Sequence, residues 1–135
     1  MLDNYKQYAV FLSTLRAKFS SIQNGKFKAY LTSASEGHAE GTIKFPNEVI
    51  LTFVEEIDFV ANKLFKYGYT VHQAGKKLYY YDSQPHPDHP ALASTHPHHK
   101  HIHPDIKHHR IPAPGFSFDH SNLEFLIREI EATLL

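Results

Sequence analysis

Apolar residues recur at steps of three and four positions over residues 2–22. This spacing puts them on one face of an α-helix, so it predicts an amphipathic helix with one buried stripe. The stripe consists of Leu2, Tyr5, Ala9, Leu12, Leu15, Phe19 and Ile22. Because Asn24-Gly25 closes the pattern, we predict an N-terminal helix within residues 1–24.

The pattern changes after Gly25, and residues 26–82 alternate or run apolar with β-branched and aromatic side chains, as strands do. The clearest strand, KLFKYGYTV, has two different faces. Its apolar face comprises Phe65, Tyr67, Tyr69 and Val71, and its polar face comprises Lys66, Gly68, Thr70 and His72. The segment QAGK predicts a tight hairpin centred on Gly75, with KLYYYD as the returning strand. We therefore expect an antiparallel meander over residues 26–82.

A second helix is indicated near the other end of the chain. Ser121-Asn122-Leu123-Glu124 is a capping-box pattern, and apolar residues follow it at steps of three and four. This predicts an amphipathic helix over residues 121–135. Together the patterns predict one domain over residues 1–135. Its fold class is α+β, with both helices packed on an antiparallel β-meander of about 4–6 strands.

The composition narrows the class of protein. The chain has 135 residues, with 14 Lys plus Arg against 14 Asp plus Glu, so it does not bind nucleic acid through bulk charge. Cysteine is absent, which excludes disulfides, thiolate metal ligands and a cysteine nucleophile. The chain lacks an apolar stretch of membrane-spanning length, and residues 1–10 show no signal pattern. We therefore expect a cytoplasmic protein that does not enter a membrane.

Histidine and proline are concentrated in one segment. Nine of the 12 histidines lie within residues 86–109, and seven of the eight prolines lie within residues 85–114. Each proline removes a backbone donor and biases the preceding residue toward extended geometry, so we predict a long His/Pro-rich loop over residues 83–115. Long loops in compact domains are usually functional or disordered. Ordinary loops are filled by Gly, Ser, Asn and Asp, so nine histidines favour a functional segment over a merely solvated one.

Clustered imidazoles suggest acid–base chemistry. The unperturbed pKa of histidine, about 6.5, permits proton donation and acceptance near neutrality. Cleavage of RNA needs one group that takes the proton of the 2′-hydroxyl and another that protonates the leaving oxygen. It also needs a cation that stabilises the charge on the phosphorane. The run His98-His99-Lys100-His101 offers all three groups.

Two linked motifs bear on the family. Tyr81-Asp82 is followed after two residues by Pro85-His86, and about ten residues later by Pro97-His98-His99-Lys100-His101. This order, with the C-terminal helix after it, resembles the TumE-like family of toxin proteins from prokaryotic toxin–antitoxin modules. The resemblance covers roughly residues 45–135. It implies a small cytoplasmic toxin, paired with an antitoxin that carries a helix-turn-helix DNA-binding domain, and toxicity through RNA or translation.

Our first hypothesis is therefore a toxin that acts as a metal-independent endoribonuclease. His98 and His101 would be its acid and base, in either order, and His86 or His99 would assist. Asp82 would orient an imidazole, and Lys100 would contact phosphate. Further RNA contacts are expected from Lys107, Arg110 and Tyr81. No cofactor is expected.

Two other functions stay open. The His-x-His pairs could chelate Zn, Ni or Cu, which would make the protein a metal-storing or metal-sensing module. Alternatively, the protein could bind RNA without cutting it, through stacking on the sheet tyrosines and pH-dependent charge in the loop. A homodimer formed through an exposed strand edge is a further expectation.

Overall fold

The structure is a computed structural model that describes residues 1–83 and 98–135. The described ranges contain two helices, α1 (Tyr5–Lys18) and α2 (Leu123–Thr133). They also contain seven strands: β1 (Asn24–Leu31), β2 (Glu36–Lys44), β3 (Val49–Asp58), β4 (Lys63–Gln73), β5 (Lys76–Asp82), β6 (His99–His101) and β7 (Arg110–Pro112). Within these ranges, no helix is long and apolar enough to cross a membrane.

The strands form one antiparallel sheet in the order in which they follow one another along the chain. The expectation of an α+β meander is confirmed, with seven strands in place of about 4–6. Strands β1 to β5 occupy the range expected for the sheet, except that β1 begins at Asn24, two residues earlier than predicted. Strands β6 and β7 lie in the range expected to be loop.

The loop prediction is therefore wrong for residues 99–101 and 110–112. Prolines flank β6 at positions 97 and 104, but its three residues keep their N–H donors and can pair with the edge of β5. Pro112 ends β7 at the edge of the sheet, where no donor is required. Residues 84–97 of the predicted loop lie outside the described residues, so for them the loop stays a prediction.

Both helices pack on one face of the sheet, which we call the inner face, and close a single hydrophobic core. Helix α1 buries Tyr8, Leu12 and Leu15, and α2 buries Leu123, Leu126, Ile127 and Ile130. Helix α1 is shorter than predicted, yet Leu2, Phe19 and Ile22 are buried in the segments beside it. Each such side chain contributes about 1.5–3 kcal/mol when fully buried. Two members of the predicted stripe, Tyr5 and Ala9, are only partly buried, and Tyr8, which the stripe omitted, is buried in the core.

The β4–β5 hairpin turns at Ala74-Gly75, as predicted from QAGK. Both residues have positive φ, 51° and 80°, which matches the twist of a two-residue hairpin. Strand β4 departs from strict alternation at its start, because a register shift lies opposite Glu56 and Ile57 of β3. Leu64 is consequently buried and Phe65 is half exposed, so the prediction that Phe65 shares the core face is wrong.

A carboxyl group lies inside the core. Glu55 is fully buried on the inner face of β3 and joins both helices to the sheet. Its carboxylate accepts hydrogen bonds from the hydroxyls of Tyr8 at 2.6 Å, of Ser121 at 2.8 Å and of Tyr69. The backbone N–H of Asn122 also donates to it at 3.3 Å, at the start of α2. Burial raises the pKa of Glu55, and these hydrogen bonds oppose the shift.

Candidate active site

Strand alternation brings Asp82 of the first motif and His99 and His101 of the second together on the face opposite the helices, which we call the outer face. Asp82 of β5 lies opposite His99 of β6, and Tyr80 lies opposite His101. On the far side of β6, His101 lies opposite Arg110 of β7. Because side chains two residues apart point to the same side of a strand, all these groups share the outer face.

Asp82, His99 and His101 form a compact group, which we call the Asp-His-His cluster. One carboxylate oxygen of Asp82 contacts Nε2 of His99, and the other lies 3.3 Å from Nε2 of His101. The two imidazole centroids are 4.8 Å apart. Both rings are almost fully buried, with 1% and 3% of each histidine exposed, while Asp82 keeps 28% of its side chain exposed. The cluster therefore meets solvent mainly through the carboxylate.

The ring of His101 is held in one orientation. Its Nδ1 lies 3.1 Å from the carbonyl oxygen of Ile106, which accepts a hydrogen bond only if Nδ1 carries the proton. The ring also stacks on Tyr80 with a centroid distance of 4.0 Å. Burial lowers the pKa of His101, and the charge of Arg110 acts in the same direction, whereas Asp82 opposes it. In the neutral ring, Nε2 thus bears the lone pair and faces the carboxylate.

Arg110 supplies a cation beside the cluster. Two of its guanidinium nitrogens, Nε and Nη1, are buried and have no hydrogen-bond partner among the described residues. A guanidinium carries a fixed positive charge and a rigid fork of donors that matches carboxylate and phosphate oxygens. Arg110 is therefore suited to hold a phosphate beside His101.

A cleft of about 590 Å³ opens next to Asp82 on the outer face. Its lining among the described residues includes Val54, Lys66, Gly68 and Asp82. Gly68 lies directly opposite Asp82 in the β4–β5 pair, and no atom of the described chain lies within 4 Å of the position a Cβ would take there. The missing side chain leaves the floor of the cleft open. Its volume falls in the range of ligand pockets, about 300–1,000 Å³.

His98 and Lys100 lie on the inner face, away from the cluster. Nδ1 of His98 contacts the hydroxyl of Tyr67, and its ring stacks parallel to the Tyr67 ring. Lys100 Nζ lies 3.5 Å from a carboxylate oxygen of Glu129 and 4.1 Å from the centroid of the Tyr79 ring. The structure thus separates His98 from His101, the pair expected to act together, and brings His99 to His101 in its place.

The other expected site residues are dispersed. Tyr81 is buried on the inner face, where its hydroxyl donates to Glu129 at 2.8 Å. Lys107 is exposed between β6 and β7. Asp82 and Arg110 belong to the outer-face group described above. His86 lies outside the described residues, so its expected assisting role stays a prediction.

From the sequence, Tyr80 is considered only as one of the sheet tyrosines for base stacking and Lys66 only as part of a polar strand face that could look toward the loop, and Gly68 is given no role in a site. The signal that finds them is alternation within β4 and β5. In YYYD, Tyr80 and Asp82 share a face that excludes Tyr81, and Gly68 and Lys66 share the matching face of β4. This alternation locates the site only together with the pairing of β5 and β6, which places His99 opposite Asp82.

Comparison with known proteins identifies the family. No curated protein and no solved structure matches the chain. Residues 12–134 match the family model described as Toxin TumE, which extends the similarity noted for residues 45–135 to nearly the whole chain. This match agrees with the resemblance carried by the two linked motifs: the chain belongs to the TumE toxin family.

Proposed function

We propose that this toxin cleaves RNA by acid–base catalysis at the Asp-His-His cluster, without a metal ion. Membership in the TumE family makes the chain a toxin component of a toxin–antitoxin module. The observation that carries the proposal is the convergence of two imidazoles, a carboxylate and an arginine on one face of the sheet. These are the groups that cleavage through the 2′-hydroxyl requires.

The hydrogen bonds of the cluster suggest a role for each group. His101 is the base, because the Ile106 carbonyl keeps the proton on Nδ1 and leaves the lone pair on Nε2. His99 is the partner acid, and Asp82 orients its ring. Arg110 contacts the phosphate in place of Lys100, which is engaged with Glu129 on the inner face. Lys66 lines the cleft and offers a second phosphate contact.

The test compares two histidines that are three residues apart and lie on opposite faces. Tag-free protein is incubated with labelled RNA, with and without EDTA, beside the variants His101→Ala and His98→Ala. We expect cleavage to survive EDTA and to fall about 10²–10⁴-fold in His101→Ala, the usual contribution of a positioned acid or base. His98→Ala should retain cleavage at temperatures where circular dichroism shows it folded. Loss of activity with EDTA, or equal losses in both variants, would refute the proposal.

Gly68 offers a second test that separates activity from stability. In Gly68→Val the new side chain enters the cleft beside Asp82. A β-branched residue in a strand is favoured over glycine by about 0.5–1 kcal/mol, so stability should be kept or increased. Cleavage of RNA should nevertheless fall, because the cleft is narrowed. Unchanged cleavage in a folded Gly68→Val variant would show that RNA does not use this cleft.

The partners follow from the family. A toxin of this family implies a cognate antitoxin, and we propose that it carries a helix-turn-helix DNA-binding domain. An adjacent reading frame of that kind supports the proposal. We further propose a cytoplasmic protein that dimerises through β1, a strand at the edge of the sheet. Light scattering on the purified chain tests the dimer, which a monomeric mass at micromolar concentration would contradict.

A further inference from the structure

We propose that the Asp-His-His cluster is also a binding site for one divalent transition-metal ion, with Zn²⁺ as the expected ion. Bound there, the ion would inhibit cleavage, because it would occupy the lone pairs that exchange protons with RNA. The inhibition rests on the proposed function, whereas the metal site does not.

The first argument is the ligand set. Asp82, His99 and His101 each offer one ligand atom, and these atoms lie within 4.8 Å of one another. A tetrahedral Zn²⁺ with bonds of about 2.0–2.1 Å separates its ligand atoms by about 3.4 Å. The 3.3 Å between Nε2 of His101 and Asp82 already fits this separation. The most distant pair needs to close by about 1.4 Å to complete the site.

The second argument is the surroundings of His101. A metal-binding histidine usually donates its other ring N–H to a backbone carbonyl or carboxylate, which fixes the tautomer and orients the ring. His101 shows this arrangement, with Nδ1 on the Ile106 carbonyl and the ring stacked on Tyr80. Its Nε2 is buried and makes no hydrogen bond to any described residue. This lone pair faces the negatively charged carboxylate of Asp82, and a cation between the two would be attracted to both.

The third argument concerns which ion fits. Two imidazoles and one carboxylate suit zinc, while calcium and magnesium prefer all-oxygen sites. The described residues supply three ligands, the number typical of zinc sites that leave one position for water or an anion. Arg110, the neighbouring cation, favours an anion such as phosphate at that position.

The test must distinguish this site from the many exposed histidines, which bind metal weakly on any histidine-rich surface. His108 and His109 are exposed, and their Nδ1 atoms lie 3.1 Å from Asp105 and from the His103 carbonyl. The variant His108→Ala/His109→Ala therefore removes two histidines outside the cluster and serves as the matched control. His101→Ala and Asp82→Asn each remove one proposed ligand.

Metal-free, tag-free protein is titrated with Co²⁺, and visible absorption reports four-coordinate cobalt before Zn²⁺ is added to displace it. We expect one equivalent of four-coordinate Co²⁺ in the wild type and in the control, and none in His101→Ala or Asp82→Asn. Zn²⁺ should also raise the melting temperature of the wild type and of the control, and leave that of the two ligand variants unchanged. The same cobalt spectrum in both ligand variants, or its loss in the control alone, would overturn the proposal. Asp82→Asn keeps the shape of the side chain, so it remains informative if His101→Ala fails to fold.

Cleavage assays on the same samples separate the two proposals. Cobalt binding with no cleavage under any condition would refute the RNase mechanism and support the metal site. EDTA-resistant cleavage without cobalt binding would support the RNase mechanism and refute the metal site. If both hold, one equivalent of Zn²⁺ should suppress cleavage and EDTA should restore it, and cleavage unaffected by bound Zn²⁺ would overturn the inhibitory role.

Discussion

The buried carboxyl of Glu55 makes a prediction about stability that can be worked from the structure. Tyr8 of α1, Tyr69 of β4 and Ser121 before α2 all donate hydroxyl hydrogen bonds to it. In Glu55→Ala these three buried hydroxyls lose their acceptor. Each unsatisfied group costs about 1–3 kcal/mol, so the loss is about 3–9 kcal/mol. Since small domains unfold with about 5–15 kcal/mol, we expect Glu55→Ala to be barely folded or unfolded.

The variant Glu55→Gln tests the charge and keeps the shape. Burial raises the pKa of Glu55 above its ordinary value of 4.5, so the folded chain holds this proton to a higher pH than the unfolded chain. The resulting stability is fully present below pH 4.5 and is lost as pH rises through the folded pKa. Glutamine does not titrate. The stability of the wild type relative to Glu55→Gln should therefore be greatest near pH 4.5 and decline toward neutral pH.

The assay is urea unfolding of both chains, followed by far-ultraviolet circular dichroism from pH 4.5 to pH 8. The difference between the two free energies of unfolding gives the pH-dependent contribution of Glu55 to stability. Other shifted groups, such as Asp119 and His101, titrate in both chains and cancel. A wild-type advantage that grows as pH rises would mean that the hydrogen bonds lower the pKa of Glu55. That result would refute the reasoning that burial dominates.

Three further changes test the scaffold, each against the wild type in urea unfolding. Tyr81→Phe removes the 2.8 Å hydrogen bond to Glu129 and should cost about 1 kcal/mol, and no loss would show that this contact is neutral. Gly75→Ala places a Cβ at a φ of 80° and should also cost about 1 kcal/mol. No loss of stability would show that the hairpin adopts another turn in this variant. Lys18→Ala breaks the exposed 2.7 Å ion pair with Glu124 and should cost less than about 1 kcal/mol. A larger loss that persists in high salt would point to packing of the lysine stem.

Much of the fold could be predicted from short-range pattern. Steps of three and four marked both helices, alternation marked the strands, and QAGK marked the β4–β5 turn. These features depend on neighbours a few residues away, so a linear reading finds them. The family resemblance is of the same kind, because its two motifs are contiguous in the chain. They identified the Asp82 and His98–His101 segments before any contact was known.

The roles of the histidines required the tertiary structure. Residues 99–101 form a strand because they pair with the free edge of β5, across a proline-rich segment whose composition predicts no strand. Only that pairing decides that His99 and His101 meet Asp82, and that His98 and Lys100 turn toward the helices. A change of register by one residue would exchange the two sets.

Glu55 shows the same division. The sequence by itself determined that it lies in an alternating strand of mostly apolar residues, where a carboxyl on the inner side is costly to bury. Only the tertiary structure brought to it the hydroxyls of Tyr8 and Ser121, which lie 47 and 66 positions away in the chain. Local pattern fixes which elements form because their bonds are local. Strand edges and buried polar groups pair with segments that are distant in the chain. These pairings therefore decide which side chains meet in the candidate site and in the core.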